Sequence, residues 1–418
     1  ANLARNFDVV VVETNHRLGL FGFLYLEELG GAEYAGSGNN GMLDIVDGLI
    51  YDIGSMANLP EQAAEQTIDA DGQWMLPAFI DSHTHLLSAK DRVDEFEMRM
   101  RGKSYEAIAK AGGGILNSAK AMAEASESDL INRLLAKLSV ARKTGTAAIE
   151  IKSGYGLSVE SELKMLRVIQ AVKEASTMPI AATFLGAHAV PEGYSREAYM
   201  DLVIDDMLPI IAKEGLADFV DIFCEDGYFT NEDLTRLASA ASHWNLPLKS
   251  HVNQFTSTGG LQASLASNAL SVDHLEVLTD QDLNDLTTHF QQGKTCMPVA
   301  LPLCSLYLKI PYTPGRKIID ANLPLAIASD CNPGSAPSSN LCLAWGLACH
   351  QMQLTPMEGL TALTLNAAAS LNWSHRMGSI AKGKEAHLIL TKVMENPAEI
   401  PYQFGDVLIE ETLIHGRS

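Results

Sequence analysis

From about residue 76 onward, short apolar runs alternate with longer segments of mixed polarity. The runs "PAFIDSH", "TAAIEIKSGYG", "IAATFLGAH", "ADFVDIFCED", "PLKSHVNQ", "ALSVDHLE", "KTCMPVA" and "PLAIASDCNPG" read as strands. Between them lie segments with helical character. "SESDLINRLLAKLSVARKTG" is opened by Ser, Asp and Glu and closed by Gly, and "VESELKMLRVIQAVKEAS" carries apolar residues at three- and four-residue spacing. Eight such alternations over roughly 300 residues predict an α/β fold, a (β/α)8 TIM-like barrel over residues 76–376, since a doubly wound sheet usually has fewer strands.

Nearly every run ends in a polar or titratable residue: His83 and His85, Lys152, His188, Glu225, His251, His274 and Asp330. In a barrel the C-terminal strand ends meet on one face, where active sites are built. The flanks follow a different pattern. Residues 1–75 hold the runs "FDVVVVET" and "LGLFGFLYL" and the turn "GSGNNG", while the tail from 377 to 418 reads as short strands between turns. Neither is long enough to bury much core, so both are expected to pair into one small β-rich composite domain.

Composition narrows the classes of partner. Of 418 residues, 47% are hydrophobic and 19% charged, which suits a sizeable core, and the net charge is −21. Such a surface repels phosphate backbones and anionic lipid, which argues against nucleic acid and membrane surfaces. An anionic small substrate would need a local cation. The six cysteines form no C-x-x-C pair, no stretch approaches about 20 apolar residues, and the N-terminus lacks the order of a signal peptide. The expectation is a soluble cytoplasmic protein with reduced thiols.

His83 and His85 stand one residue apart, so on a straight strand they share a face. Alone, the pair is weak: a single such histidine is more often a hydrogen-bonded core residue. With His251 ending the fifth run and Asp330 the eighth, three imidazoles and a carboxylate suit a divalent cation such as Zn2+ or Fe2+. A water bound to such an ion has its pKa lowered to about 7, which makes the site hydrolytic. His274, after the sixth run, becomes an acid–base or oxyanion-stabilising group. The fourth run ends in Cys224, Glu225 and Asp226, with no lysine to bridge two ions, so one metal is expected, and Glu225 reads as a solvated loop acid.

His-x-His followed by His, His and Asp at these strand ends resembles the amidohydrolase superfamily of metal-dependent barrels. The strings "FIDSHTHL", "EIKSGYGL", "LGAHAVP", "VDIFCE", "SVDHLE" and "ASDCNPGSAP" are similar to the imidazolonepropionase family within it, over about residues 75–415. That resemblance implies hydrolysis of the cyclic amide of 4-imidazolone-5-propanoate to N-formimino-L-glutamate, in histidine degradation. It implies one zinc or iron (Fe2+ or Fe3+) on His83, His85, His251 and Asp330, with Asp330 and His274 catalytic. Arg92 matches the residue that grips the propionate carboxylate, which meets the need for a local cation. Tyr155, His188 and Gln254 match substrate contacts, and Asn332, Gly334 and Ser335 match the loop holding substrate and product. Dimers are common in the superfamily, so the resemblance allows a homodimer.

Three departures stand out. Gln254 replaces a glutamate of some members and cannot act as a base. His387 in "KEAHLIL" stands where the family usually has an acid. Residues 8–49 instead resemble the segment before the nucleophile of carboxylesterases, but no G-x-S-x-G occurs in the chain, so an esterase is excluded. The rival readings are a related deaminase or other cyclic amidase, told apart by ammonia release, and an inactive metal-binding barrel.

Overall fold

In the computed structural model, which describes residues 41–55, 68, 70, 72–103 and 113–417, all eight expected runs form strands. Among the described residues, three strands precede the barrel: β1 (Gly41–Val46), β2 (Leu49–Ser55) and β3 (Met75–Pro77). The barrel strands are β4 (Phe79–Asp81), β5 (Thr146–Lys152), β6 (Ile180–Ala187) and β7 (Phe219–Cys224). They continue with β8 (Lys249–Val252), β9 (Ser271–His274), β10 (Met297–Ala300) and β11 (Ala326–Ile327). Each pairs in parallel with its sequence neighbour, in the order β4 to β11. Helices cross over between strands, as parallel pairing requires.

The ring is drawn together at the mouth. The Asp330 amide donates to the His83 carbonyl at 3.0 Å, and the His85 amide to the Cys331 carbonyl at 3.1 Å. Below them the Ser329 hydroxyl and amide both donate to Asp81. The two segments that carry most of the candidate ligands are therefore zipped to each other by backbone bonds.

The crossover helices obey the local signals. Ser126 caps the helix Glu127–Lys143 by accepting from the Asp129 amide, and Leu130, Leu134, Leu138 and Ala141 line its buried face. That spacing of three and four residues is the apolar stripe that meets the strands. Leu134 has no exposed surface, and truncating such a residue to Ala costs about 2–5 kcal/mol.

Outside the barrel, β1 and β2 form an antiparallel hairpin, and β3 pairs with β12 (Leu388–Thr391), which pairs with β13 (Ile409–Leu413). Ile50, Met75, Leu388, Leu390 and Leu413 share one small apolar cluster, so segments from both ends of the described chain bury one another. The strand-like runs expected before residue 41 lie outside the described residues. No described helix is long and apolar enough to cross a membrane.

Candidate metal centre and active site

β4 stops at Asp81, and the extended chain after it carries His83 and His85 into the barrel mouth. β8 delivers His251, β9 ends on His274, and the segment after β11 brings Asp330. His274 and Asp330 both hold positive φ angles, 88° and 52°, which non-glycine residues seldom adopt. Strain of that kind collects where side chains must be aimed.

The donor atoms converge. Nε2 of His83 and Nε2 of His85 each lie 3.5 Å from Asp330 Oδ1, and Nε2 of His251 lies 3.3 Å from Nε2 of His85. Ligands held at about 2.0–2.1 Å around a tetrahedral ion stand roughly 3.4 Å apart. Two of the three rings are fixed from behind: His83 Nδ1 meets Asp273 at 2.6 Å and His251 Nδ1 meets Asp221 at 3.1 Å, while His85 Nδ1 is buried without a partner. A carboxylate on Nδ1 holds the proton there and presents the Nε2 lone pair forward. His83 Nε2 is buried without a hydrogen-bond partner. Three imidazoles and one carboxylate, with an orphaned nitrogen among them, fit a divalent cation.

The orienting carboxylates rest on a buried charge network inside the barrel. Lys152 reaches Asp221 at 2.8 Å and Glu150 at 2.9 Å, and Lys249 reaches Glu150 at 3.4 Å, all four without exposed side-chain surface. Burial works against the charged Asp221, but His251 and Lys152 outweigh it and hold its pKa well below the usual range. Burial, with Lys152 nearby, lowers His83, and burial lowers His85 and His251. All three are thus neutral, as ligands must be. Burial also pushes the Asp330 carboxyl up to about 6, and a cation among the histidines would draw it down again.

His274 differs from the other rings. Burial disfavours its charge, but Glu276, 3.3 Å from Nδ1, raises its pKa above the ordinary value. Its ring centre lies 5.3 Å from that of His251 and 5.9 Å from that of His83. Among the rings around the candidate centre, His274 is therefore the one whose pKa is raised.

The remaining expected residues line the same mouth. Arg92 does not sit on a solvated helix face. Its side chain is about one-tenth exposed, donates to Ser118 Oγ from Nε and Nη2 at 3.0 and 2.8 Å, and lies against Gly334. A Cβ on Gly334 would stand 2.5 Å from Arg92 Nη1, so a side chain there would push the guanidinium from its present place. Asn332 folds that loop by accepting from the Gly334 and Ser335 amides at 2.8 and 2.7 Å while donating to Ser335 Oγ. Tyr155 and His188 have ring centres 5.5 Å apart, and His188 stacks on His85 at 5.0 Å and 20°. His188 Nδ1 contacts the Gly154 carbonyl at 3.0 Å, and burial pushes its pKa down to about 3. Gly154, at φ 102°, leaves no room for a Cβ beside His188. Gln254 is buried, its Nε2 3.5 Å from Cys304 Sγ.

One expectation is corrected. Glu225 is not a solvated acid: it is 3% exposed and accepts from the Phe255 amide and the Thr256 hydroxyl, pinning the turn after His251. Reasoning from sequence also missed Asp221, Asp273, Glu276 and Ser118. The first three sit in or beside the strand ends as "VDIF", "VDH" and "HLE", where an acid inside an apolar run was the available signal. Ser118, distant in sequence from Arg92, left none.

The sequence profile of the amidohydrolase family matches residues 74–418. An imidazolonepropionase from Christiangramia forsetii is 50% identical over 380 residues, covering 90% of this chain and 91% of its own. That of Haloarcula marismortui is 37% identical over 381 residues, covering 90% and 89%. Among solved structures, a 5-methylcytosine deaminase from Klebsiella pneumoniae has a TM-score of 0.70 at 18% identity, covering 91% of this chain and 94% of that one. An atrazine chlorohydrolase from Arthrobacter aurescens, complexed with zinc, has a TM-score of 0.71 at 14% identity, covering 90% of each. Those two likenesses speak for the fold alone.

Proposed function

Since the chain belongs to the amidohydrolase family, and to the imidazolonepropionases within it, it is a hydrolase of carbon–nitrogen bonds, and we propose how its barrel mouth opens the cyclic amide of 4-imidazolone-5-propanoate. The product is N-formimino-L-glutamate. The observation that carries this reading is the convergence of three neutral imidazoles and Asp330, with the Arg92 guanidinium held in the same mouth.

His83, His85 and His251, through Nε2, and Asp330, through its carboxylate, would hold one divalent ion, zinc or iron. When bound, that ion supplies Lewis acidity, polarising the amide carbonyl and lowering the pKa of water. Asp330 takes the proton of the attacking water and returns it to the ring nitrogen as the carbon–nitrogen bond breaks. His274, kept protonated by Glu276, donates to the oxygen that becomes negative as the carbonyl carbon turns tetrahedral. Asp273 and Asp221 keep the His83 and His251 tautomers correct.

Arg92 binds the propionate carboxylate. Ser118 holds one edge of the guanidinium, and the Nη1 side faces the Gly334 loop. Tyr155 and His188 pack on the imidazolone ring, and Gln254, a neutral amide, hydrogen-bonds it without taking a proton. Asn332, Gly334 and Ser335 close over substrate and product. The pairing of β3 with β12 supports reading residues 1–75 and 377–418 as one composite unit around a catalytic barrel of 76–376. The six free cysteines support a cytoplasmic setting.

The test is a spectrophotometric assay on freshly made imidazolonepropionate, with elemental analysis of the same preparation. Consumption of the substrate with one ion per chain and no ammonia is the expected result. Ammonia release, or no turnover by fully loaded protein, would overturn it.

A further inference from the structure

Beside the four-donor centre lies a second set of donors with no part in holding that ion. His274 and Glu276 come from the end of β9, and Cys304 from the helix Pro302–Leu308 that follows β10. All three are buried, and one ligand atom from each lies within 4.8 Å of the others. Glu276 is prepared on one side only: Oε1 accepts from the Ser305 hydroxyl at 3.1 Å, while Oε2 has no hydrogen-bond partner although it stands 3.3 Å from His274 Nδ1. That separation suits two ligands of one ion, and a carboxylate braced through its other oxygen is a common support for a metal ligand.

We infer that His274, Glu276 and Cys304 form a second, inhibitory site for a thiophilic divalent cation such as Zn2+ or Cd2+. Imidazole, carboxylate and thiolate make three protein ligands and leave a fourth position for water, an arrangement zinc accepts. The principal centre offers nitrogen and oxygen only, so sulfur distinguishes the two sites chemically. With four donors against three, the principal centre fills first, and the second ion enters only when metal is in excess. On binding, the cation takes Nδ1 of His274 and Sγ of Cys304, whose protons leave to solvent, and ties the ring between Glu276 and the thiolate. The ring is then committed to that ion instead of to the developing oxyanion, and turnover stops. The binding half of this inference stands on the geometry; the inhibitory half rests on the role assigned to His274 above.

The experiment starts from holoenzyme carrying one ion per chain and already shown to hydrolyse imidazolonepropionate, so a wrong substrate assignment is exposed before any cadmium is added. Cd2+ is then titrated while sulfur-to-metal charge-transfer absorption and activity are read together. One added equivalent should produce the band and abolish activity in parallel. Cys304→Ser, with inhibition read relative to its own activity before cadmium, should show no band and need about tenfold or more cadmium for half inhibition. Absence of the band in the parent, or its survival in Cys304→Ser, overturns the site. A band that saturates without loss of activity overturns the inhibition.

Discussion

The ligand cluster at the barrel mouth and the peripheral cluster at the small sheet look alike in composition, and their chemistry diverges. At the barrel mouth, His83, His85 and His251 turn nitrogens toward one point and toward Asp330, and His83 Nε2 has no hydrogen-bond partner there. At the edge of the small sheet, Glu385, His387 and His415 lie equally close together. There His387 Nε2 contacts Glu385 at 2.8 Å, and its Nδ1 accepts from the His415 amide at 3.4 Å. The second oxygen of Glu385 is taken by Arg376 Nε at 2.6 Å. One cluster is pre-paid in hydrogen bonds and the other is left open. Proximity of ligating residues therefore does not distinguish a metal centre from a structural knot; the direction of the unsatisfied atoms does.

The largest effect that separates the clusters should come from Asp330→Ala. On the proposed mechanism it removes one of four ligands and the proton acceptor, so kcat/KM should fall by about a thousandfold or more, with much of the metal lost. Elemental analysis of carefully dialysed parent protein should give one ion per chain. An ion that stays bound in a variant lacking His83 and His85, and is lost when His387 is also replaced, would sit on the peripheral cluster and break the comparison.

His274→Ala comes next. It belongs to the mouth but not to the ligand set, so metal content should be unchanged while kcat drops by about a hundredfold. Loss of metal in this variant would make His274 a ligand. Arg92 extends the comparison to charge. In a chain of net charge −21, the proposed reading has one guanidinium fix the only permanent charge of the substrate. Arg92→Ala should cost roughly 1.5–3 kcal/mol, a ten- to hundredfold loss in kcat/KM carried mainly by KM, and Arg92→Lys less, since Lys lacks the planar fork. A neutral cyclic amide without the propionate should be a poor substrate and indifferent to both changes. Equal kcat/KM for parent and Arg92→Ala on imidazolonepropionate would reduce Arg92 to a tie for Ser118.

The mouth was largely legible in the sequence because a parallel barrel places every strand end on one face. His83, His85, His251, His274 and Asp330 are separated by up to 247 residues, yet each follows an apolar run, and the topology does the rest. The layer behind them was not legible. Barrel strands are buried on both faces, so period-two alternation vanishes, and nothing in "VDH" or "VDIF" says that Asp273 and Asp221 reach a histidine on a neighbouring strand. Glu225 failed for a related reason: an acid among turn residues looks solvated until the Phe255 and Thr256 donors across the mouth are known. The composite sheet was legible only as short strands, since β3 and β12 meet across more than 300 residues.

The smallest effect comes from the peripheral cluster, and its sign follows from how its bonds are satisfied. Burial tends to raise the Glu385 carboxyl, but hydrogen bonds from His387 and Arg376 outweigh it and bring the pKa from the usual 4.5 to about 2. A carboxyl depressed in the folded state adds stability above its unfolded pKa and loses it as the pH falls toward its folded one. The Glu385 side chain is 14% exposed and that of Arg376 38%, so solvent screens the pair, and the contribution is about 1–2 kcal/mol rather than the full value of the shift. Glu385→Gln should therefore lower the urea midpoint at neutral pH by that modest amount. The gap to the parent should begin to close below about pH 4.5 and narrow toward pH 2, because the parent then gains the proton that the variant never needed. Metal content and kcat should stay at parental values, since none of the three residues reaches the mouth. If Glu385→Gln sheds metal, or its stability deficit is the same at every pH, the peripheral cluster is not the hydrogen-bonded ion pair that its geometry describes.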